Sequence, residues 1–136
     1  MANGEDRMND VGHKRDIDEQ TSRFALRVLK LSGALPTNTA GVVLSRQVIR
    51  AATSIGANVT EAQGSSTRRD FIRRINIARG EAREAHYFLR LIAESGIIAP
   101  RRMDGVIQEA NELGSILTAI VKRSGQHPSR SKRAVA

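Results

Sequence analysis

The stretch TRRDFIRRINIARGEAREAHYFLRLIAES, running from Thr67 to Ser95, decides the fold because it carries two apolar stripes where a simple bundle helix needs one. Phe71, Ile75, Ala78, Ala82, Ala85, Leu89 and Ile92 recur at alternating spacings of four and three, which lays them along one seam of an α-helix. Ile77, Phe88 and Leu91, interleaved with Asp70, Arg74, Glu81 and Glu84, fall on a second stripe rotated by roughly a third of a turn, given 3.6 residues per turn. One seam can close the protomer's own core. The other calls for a different partner, and the expectation is another copy of the same chain.

Working outward, punctuation marks three further helices. Ile17, Phe24, Val28 and Leu31 form the apolar face of a first helix over about Ile17 to Ser32, which Gly33 ends and Pro36 prevents from resuming. Thr37-Asn38-Thr39 opens a second, about Ala40 to Gln63, with Leu44, Val48, Ala52, Ile55, Val59 and Ala62 as its seam. Gly64-Ser65-Ser66 breaks the pattern, and Thr67 can cap the third helix, with Asp70 well placed against the helix dipole. That helix ends near Ser95-Gly96. Pro100 suits the first turn of a fourth, carried by Met103, Val106, Ala110, Leu113, Leu117 and Ile120 and closed at Arg123.

No sustained period-two alternation appears, and none flanks an Asn-Gly or Asp-Gly pair to make a hairpin, so strands are not expected. Short loops between four amphipathic helices predict an all-α, antiparallel up-down-up-down four-helix bundle. Residues 17–123 form that bundle, between a flexible N-terminal tail over 1–16 and a basic flexible C-terminal tail over 124–136. Interior glycines at 56, 80, 105 and 114 each cost about 1 kcal/mol of helix propensity relative to alanine. Close approach of a neighbouring helix would offset that cost, and simple tolerance of a weak position serves equally well for Gly105 and Gly114.

The chain of 136 residues suits one domain with one modest core. Cysteine is absent, which removes disulfides, thiolate metal sites and a cysteine nucleophile. With no signal-peptide pattern and no apolar run of membrane-spanning length, a cytoplasmic protein without membrane association is expected. The formal net charge is +8, and residues 17–123 hold most of it: 16 Lys/Arg against 10 Asp/Glu leave 16 − 10 = +6. An excess on the folded part favours a polyanionic partner, because neutralising phosphates and releasing their counterions gives sequence-independent affinity.

Two stretches resemble a known family. Gln47-Val48-Ile49-Arg50-Ala51-Ala52-Thr53-Ser54-Ile55-Gly56-Ala57-Asn58-Val59-Thr60-Glu61, and Phe71 through Glu84 with Ile77-Ala78-Arg79-Gly80, are similar to the four-helix-bundle proteins encoded in intervening sequences of bacterial 23S ribosomal RNA genes. With the helix ahead of Leu35-Pro36, the similarity covers most of Phe24 to Ile98. The family pattern usually reads Ile-Ala-Glu-Gly after its asparagine segment, whereas this chain has Val59-Thr60-Glu61-Ala62 with Gly64 following. It also has Arg74 where an aromatic is common and Glu81 where a small serine is common, both on the second stripe. The resemblance implies a homopentamer that binds RNA or a ribonucleoprotein, and no catalytic activity. A relative that is the accessory protein of diversity-generating retroelements works with a reverse transcriptase, which makes such an enzyme a candidate partner.

Arg50, Asn58 and Glu61 on the second helix, with Arg79 and Glu84 on the third, are the obvious polar constellation. Asn58 and Glu61 lie three apart on one face, as Arg50 and Ser54 lie four apart. Together with Arg74, Ile77, Glu81, Phe88 and Leu91 they are expected to be structural or interfacial groups that fix helix register and subunit pairing rather than catalytic ones. A carboxylate-bridged metal site would require Glu-x-x-His motifs, which are absent, so no metal and no cofactor is expected. No nucleophile elbow or P-loop occurs.

The basic residues are better organised. Arg68, Arg79, Arg83, His86 and Arg90 share a narrow sector of the third helix, Arg69 and Arg73 extend it, and Arg101-Arg102 and Lys122-Arg123 mark the two ends of the fourth. That row is the expected nucleic-acid surface, RNA ahead of DNA, able to track a phosphate backbone. The alternative is a solvated helix face on a structural oligomer that docks a protein such as a reverse transcriptase without touching nucleic acid. No aromatic stacking platform is expected beside the arginines, since Tyr87 is the only tyrosine and Phe88 belongs to the second stripe, so binding should read shape and charge rather than sequence.

Overall fold

The computed structural model describes residues 2–125, with side chains from Ile17 onward. Four helices follow one another: α1 (Ala2–Ser32), α2 (Thr39–Gln63), α3 (Arg68–Ser95) and α4 (Pro100–Gly125). They form a four-helix bundle, and no strand occurs among the described residues. α1 starts ahead of the expected Ile17, and α4 reaches Gly125 rather than closing at Arg123. The side chains of 1–16 and residues 126–136, where the two expected tails fall, lie outside the described residues.

Helix limits have local causes. α1 ends in a run of tight turns, Gly33 N–H donating to the Lys30 carbonyl at 3.3 Å, Ala34 to Leu31 at 2.9 Å and Leu35 to Ser32 at 3.1 Å. At the start of α2 the Asn38 side chain accepts from the Gly41 N–H at 2.9 Å, and at the start of α3 Thr67 accepts from the Asp70 N–H at 3.1 Å. α3 stops at Gly96, whose φ of 75° is the left-handed conformation that glycine adopts without a Cβ penalty. Pro100 opens α4 as expected.

The core is built from the predicted seams. Ile75, Ala78, Ala82, Ala85, Leu89 and Ile92 of α3 are buried, as are Val48, Ala52, Ile55, Val59 and Ala62 of α2 and Met103, Val106, Ala110, Leu113 and Leu117 of α4. Leu31, Leu44, Phe71 and Ile120, at seam ends, are only partly buried and pack against this core. α1 adds Ile17, Phe24 and Val28, plus one polar member, Thr21, whose hydroxyl donates to the Asp18 carbonyl at 3.0 Å. Each large aliphatic or aromatic side chain so buried contributes on the order of 1.5–3 kcal/mol. Contacts run around a ring: α1 on α2, α2 on α3, α3 on α4, and α4 back on α1, with the α2–α3 pair the most extensive.

Alanine seams permit that closeness. Ala51, Ala52, Ala78, Ala82 and Ala85 are fully buried. Of the interior glycines, Gly56 supports the close-approach reading, since an added Cβ would lie 3.3 Å from the Thr21 hydroxyl across the α1–α2 contact. At Gly105 a Cβ would lie 2.6 Å from the Arg27 guanidinium, the far end of a flexible side chain, and at Gly80 and Gly114 it would meet nothing within 4 Å, so close backbone approach inside the protomer does not explain those positions.

Candidate nucleic-acid interface

α3 turns its two flanks to different neighbours, and the flanks differ in charge. On the α2 side, the Arg50 guanidinium bridges two carboxylates, reaching Glu81 at 3.3 Å and also pairing with Glu84. Burial pushes the Glu81 carboxyl above its ordinary value, and the opposing attraction of Arg50 does not cancel that effect. Arg50 itself is half exposed, so the bridge is a register device more than a large source of stability.

The expected constellation of Arg50, Asn58, Glu61, Arg79 and Glu84 is therefore only partly assembled. Arg50 and Glu84 meet, with Glu81 added. Asn58 instead donates within its own helix, to the Ser54 carbonyl at 2.9 Å and the Ser54 hydroxyl at 3.1 Å. Glu61 is exposed, and Arg79 lines the opposite flank of α3.

The second apolar stripe is also partly consumed within the chain. Phe88 packs against the core and Leu91 is half-buried, while Ile77 stays 38% exposed and Arg74 half-buried. Surplus apolar surface thus remains on this face, but it is smaller than the sequence pattern suggests. Among the described residues other large apolar side chains lie open on α1 and α2: Leu26 and Leu29, and Val42 and Val43.

On the other flank, α3 and α4 enclose a groove of about 710 Å³. Arg79, Arg83, His86 and Arg90 form its α3 wall, at spacings of four, three and four that stack them on one side of the helix. Its floor and α4 wall are small or polar: Ala82, Ala110, Asn111, Gly114, Ser115 and Thr118. Gly114 borders open space, since nothing stands within 4 Å of where its Cβ would be. Thr118 donates its hydroxyl proton to the Gly114 carbonyl at 2.8 Å, leaving lone pairs for an incoming donor.

Among the described residues no carboxylate lines this groove. Among the described residues Arg79 and Arg83 have no carboxylate partner within ion-pair distance, and Arg90 touches only Glu94, an exposed pair one turn on at 3.2 Å. A half-enclosed row of guanidinium groups facing small polar residues suits an anion with several phosphates.

The remaining basic residues named from sequence are dispersed. Arg68 and Arg69 are exposed in the first turn of α3, Arg101 and Arg102 in the first turn of α4, and Lys122 in its last. Arg73 is tied to Asp70 at 2.7 Å, and that bond, with one from Ser65, holds the Asp70 carboxyl below its usual value. Arg123 lines a separate groove between α1 and α4 with Ile17, Arg23 and Ile120. Of the expected row, Arg79, Arg83, His86 and Arg90 share one concavity, and the other basic residues do not.

One expectation is overturned. An aromatic does accompany the arginines: Tyr87 lines the α3–α4 groove, is 55% exposed, and is braced edge-on by Phe88 with ring centroids 5.4 Å apart. Asn111, Ser115 and Thr118 were also passed over. Their four-then-three spacing beside the Ala110, Leu113, Leu117 seam was the available signal, since it places a polar row on the edge of α4.

Fold and groove together define an all-α bundle with a cationic trench and, among the described residues, no group of His, Asp and Glu able to hold a metal. A family model for the 23S rRNA-intervening sequence protein matches residues 13–119, and the chain belongs to that family. Among solved structures, it is similar to a protein of unknown function from the S23 ribosomal protein family of Bacteroides thetaiotaomicron, with 33% identity and a TM-score of 0.73 over 78% of this chain and 98% of that one. No curated protein matches it.

Proposed function

We propose that this protein is a non-enzymatic, cytoplasmic accessory that binds RNA, free or within a ribonucleoprotein, as a homo-oligomer of antiparallel up-down-up-down bundles, five to a ring. The observation that carries this reading is the α3–α4 groove, where Arg79, Arg83 and Arg90 stand together with no carboxylate lining the walls. Membership of a family named for 23S rRNA intervening sequences supports an RNA-related role. No helix among the described residues is long and apolar enough to cross a membrane.

The antiparallel arrangement is supported by cross-helix pairs. Thr21 near the start of the described α1 side chains faces Gly56 late in α2, and the Gln63 side-chain amide sits beside the Asp18 carboxylate, to which its nitrogen donates once the amide is set in the orientation that satisfies both groups. Self-association is supported by the exposed Ile77 on the second stripe of α3. Five protomers would carry 5 × 8 = +40, so modest sites would act together through multivalency.

A second reading is a structural oligomer that docks a protein, a reverse transcriptase for instance, without nucleic-acid contact; the exposed Leu26, Leu29, Val42 and Val43 favour it. RNA binding measured across a salt series separates the two. Affinity that falls steeply from low to moderate salt supports phosphate contacts, and no binding at low salt supports protein docking. Replacing Arg79, Arg83 and Arg90 together by Gln should weaken RNA binding at unchanged oligomer mass. A fall in mass would make these arginines subunit contacts.

A further inference from the structure

Resting on the RNA-binding reading, we propose that the α3–α4 groove is a single-strand subsite: Arg79, Arg83 and Arg90 take successive phosphates of an unpaired RNA segment, and Tyr87 stacks on one of its bases. The three arginines rise about 16 Å along the helix at 1.5 Å per residue, enough for a few nucleotides laid along the trench. Tyr87 follows His86 on the solvent side of the same wall. Its edge-on contact with Phe88 fixes the ring while most of it stays open.

That geometry selects against a duplex. Bases inside a duplex are already stacked and cannot offer a face to Tyr87, and a double helix is too wide to enter a trench of about 710 Å³ between two helices. An unpaired base can be splayed onto an aromatic ring while its backbone follows a positive row, the combination that single-strand binders use. The floor fits the sugar-phosphate chain as well. Gly114 leaves space for it, and the Thr118 hydroxyl, having donated to the Gly114 carbonyl, can accept from a ribose 2′-OH.

The test exploits composition. Tyr87 is the only tyrosine and there is no tryptophan, so the intrinsic emission of the intact protein reports this one ring. The probes are an unstructured oligo-RNA and a blunt RNA duplex of equal length. The single strand should bind at least tenfold more tightly, with tyrosine emission quenched in step with occupancy. Tyr87→Phe should retain the affinity and Tyr87→Ala should lose roughly fivefold or more, the lower end of what base stacking on an aromatic contributes. Three phosphate contacts at 0.7 each give a log–log salt slope near −2, about a 20-fold loss between 50 and 200 mM salt.

Gly114→Leu starts from a Cβ with nothing within 4 Å and extends into the groove, so it should fold, keep its oligomer mass and lose single-strand binding. RNA binding that depends on the arginines yet leaves tyrosine emission, Tyr87→Ala affinity and duplex preference unmoved would overturn the single-strand subsite while leaving the RNA-binding reading standing. Failure of both RNAs to bind at low salt would overturn the two together.

Discussion

Replacing Gly41 by alanine should destabilise the bundle sharply, although the same substitution at Gly114 should stabilise it. Gly41 is buried in the first turn of α2, beneath the loop that leads from α1. A Cβ there would fall 1.8 Å from the Pro36 carbonyl oxygen and 2.8 Å from its carbon. Both are backbone atoms, so no side-chain rotation relieves the clash and the loop itself must move. The Gly41 N–H is also the donor to the Asn38 cap, so displacing the loop strains that bond.

Overpacking costs typically 1–3 kcal/mol and a weakened cap about 1 more, against a gain of about 1 kcal/mol in helix propensity. The net loss is about 1–3 kcal/mol, or roughly 4–12 °C in Tm for a chain of this size. Gly114→Ala meets nothing within 4 Å and keeps the whole propensity gain, a rise of up to about 4 °C. Thermal melts followed by far-UV circular dichroism, at one fixed protein concentration because association shifts Tm, would measure both. Equal stability of Gly41→Ala and the parent, or shifts of the same sign at both glycines, would refute the described packing of the α1–α2 turn.

Two further outcomes follow from single groups. Because burial holds the Glu81 carboxyl above its ordinary 4.5, the folded chain binds that proton more tightly than the unfolded one, and stability should decline as pH rises from about 4.5 through the shifted value. Glu81→Gln should flatten that decline in urea midpoints taken across this range, and a steeper decline would show that the attraction of Arg50 dominates. Gly80→Ala adds a methyl where the protomer offers no neighbour within 4 Å, so it should gain up to about 1 kcal/mol. A drop in stability or in sedimenting mass would place a second copy against that part of α3.

The helices and their seams were legible because they depend on periodicity alone. Thr67 and Pro100 could be assigned to their helix starts by residue type, and Ile75 through Ile92 could be assigned to the core by spacing. Partner choice was not legible. The sequence groups Arg50 with Asn58, Glu61, Arg79 and Glu84, yet of these only Glu84 meets the guanidinium, which also reaches Glu81 on α3. A helical wheel gives a residue's direction and not what stands there. The need for glycine at 41 is hidden from the sequence for the same reason, since it depends on the path of Pro36 over it. The place of Tyr87 beside the arginines is hidden from the sequence because the small residues that open the groove there belong to α4.

Along the groove α3 places no carboxylate beside Arg79 and Arg83, and that separation has an energetic consequence. If the arginines only solubilised the helix, carboxylates would be expected one turn away from most of them, yet Arg79 and Arg83 have none within ion-pair distance among the described residues while Glu81 and Glu84 are committed to Arg50. Arg79 and Arg83 are four residues apart, where like charges oppose helix formation by about 0.2–0.5 kcal/mol, and Arg90 adds a weaker term near one Debye length away. The unliganded groove is thus slightly destabilising to the fold that contains it. A bound polyanion removes the repulsion and adds its own binding free energy to stability. The arginine-to-glutamine triple variant should therefore melt marginally higher than the parent in low salt without RNA, and should lose the rise in Tm that RNA gives the parent. A triple variant that melts well below the parent without RNA would mean instead that the guanidinium stems pack structurally against α4, and the groove would have to be read as part of the core.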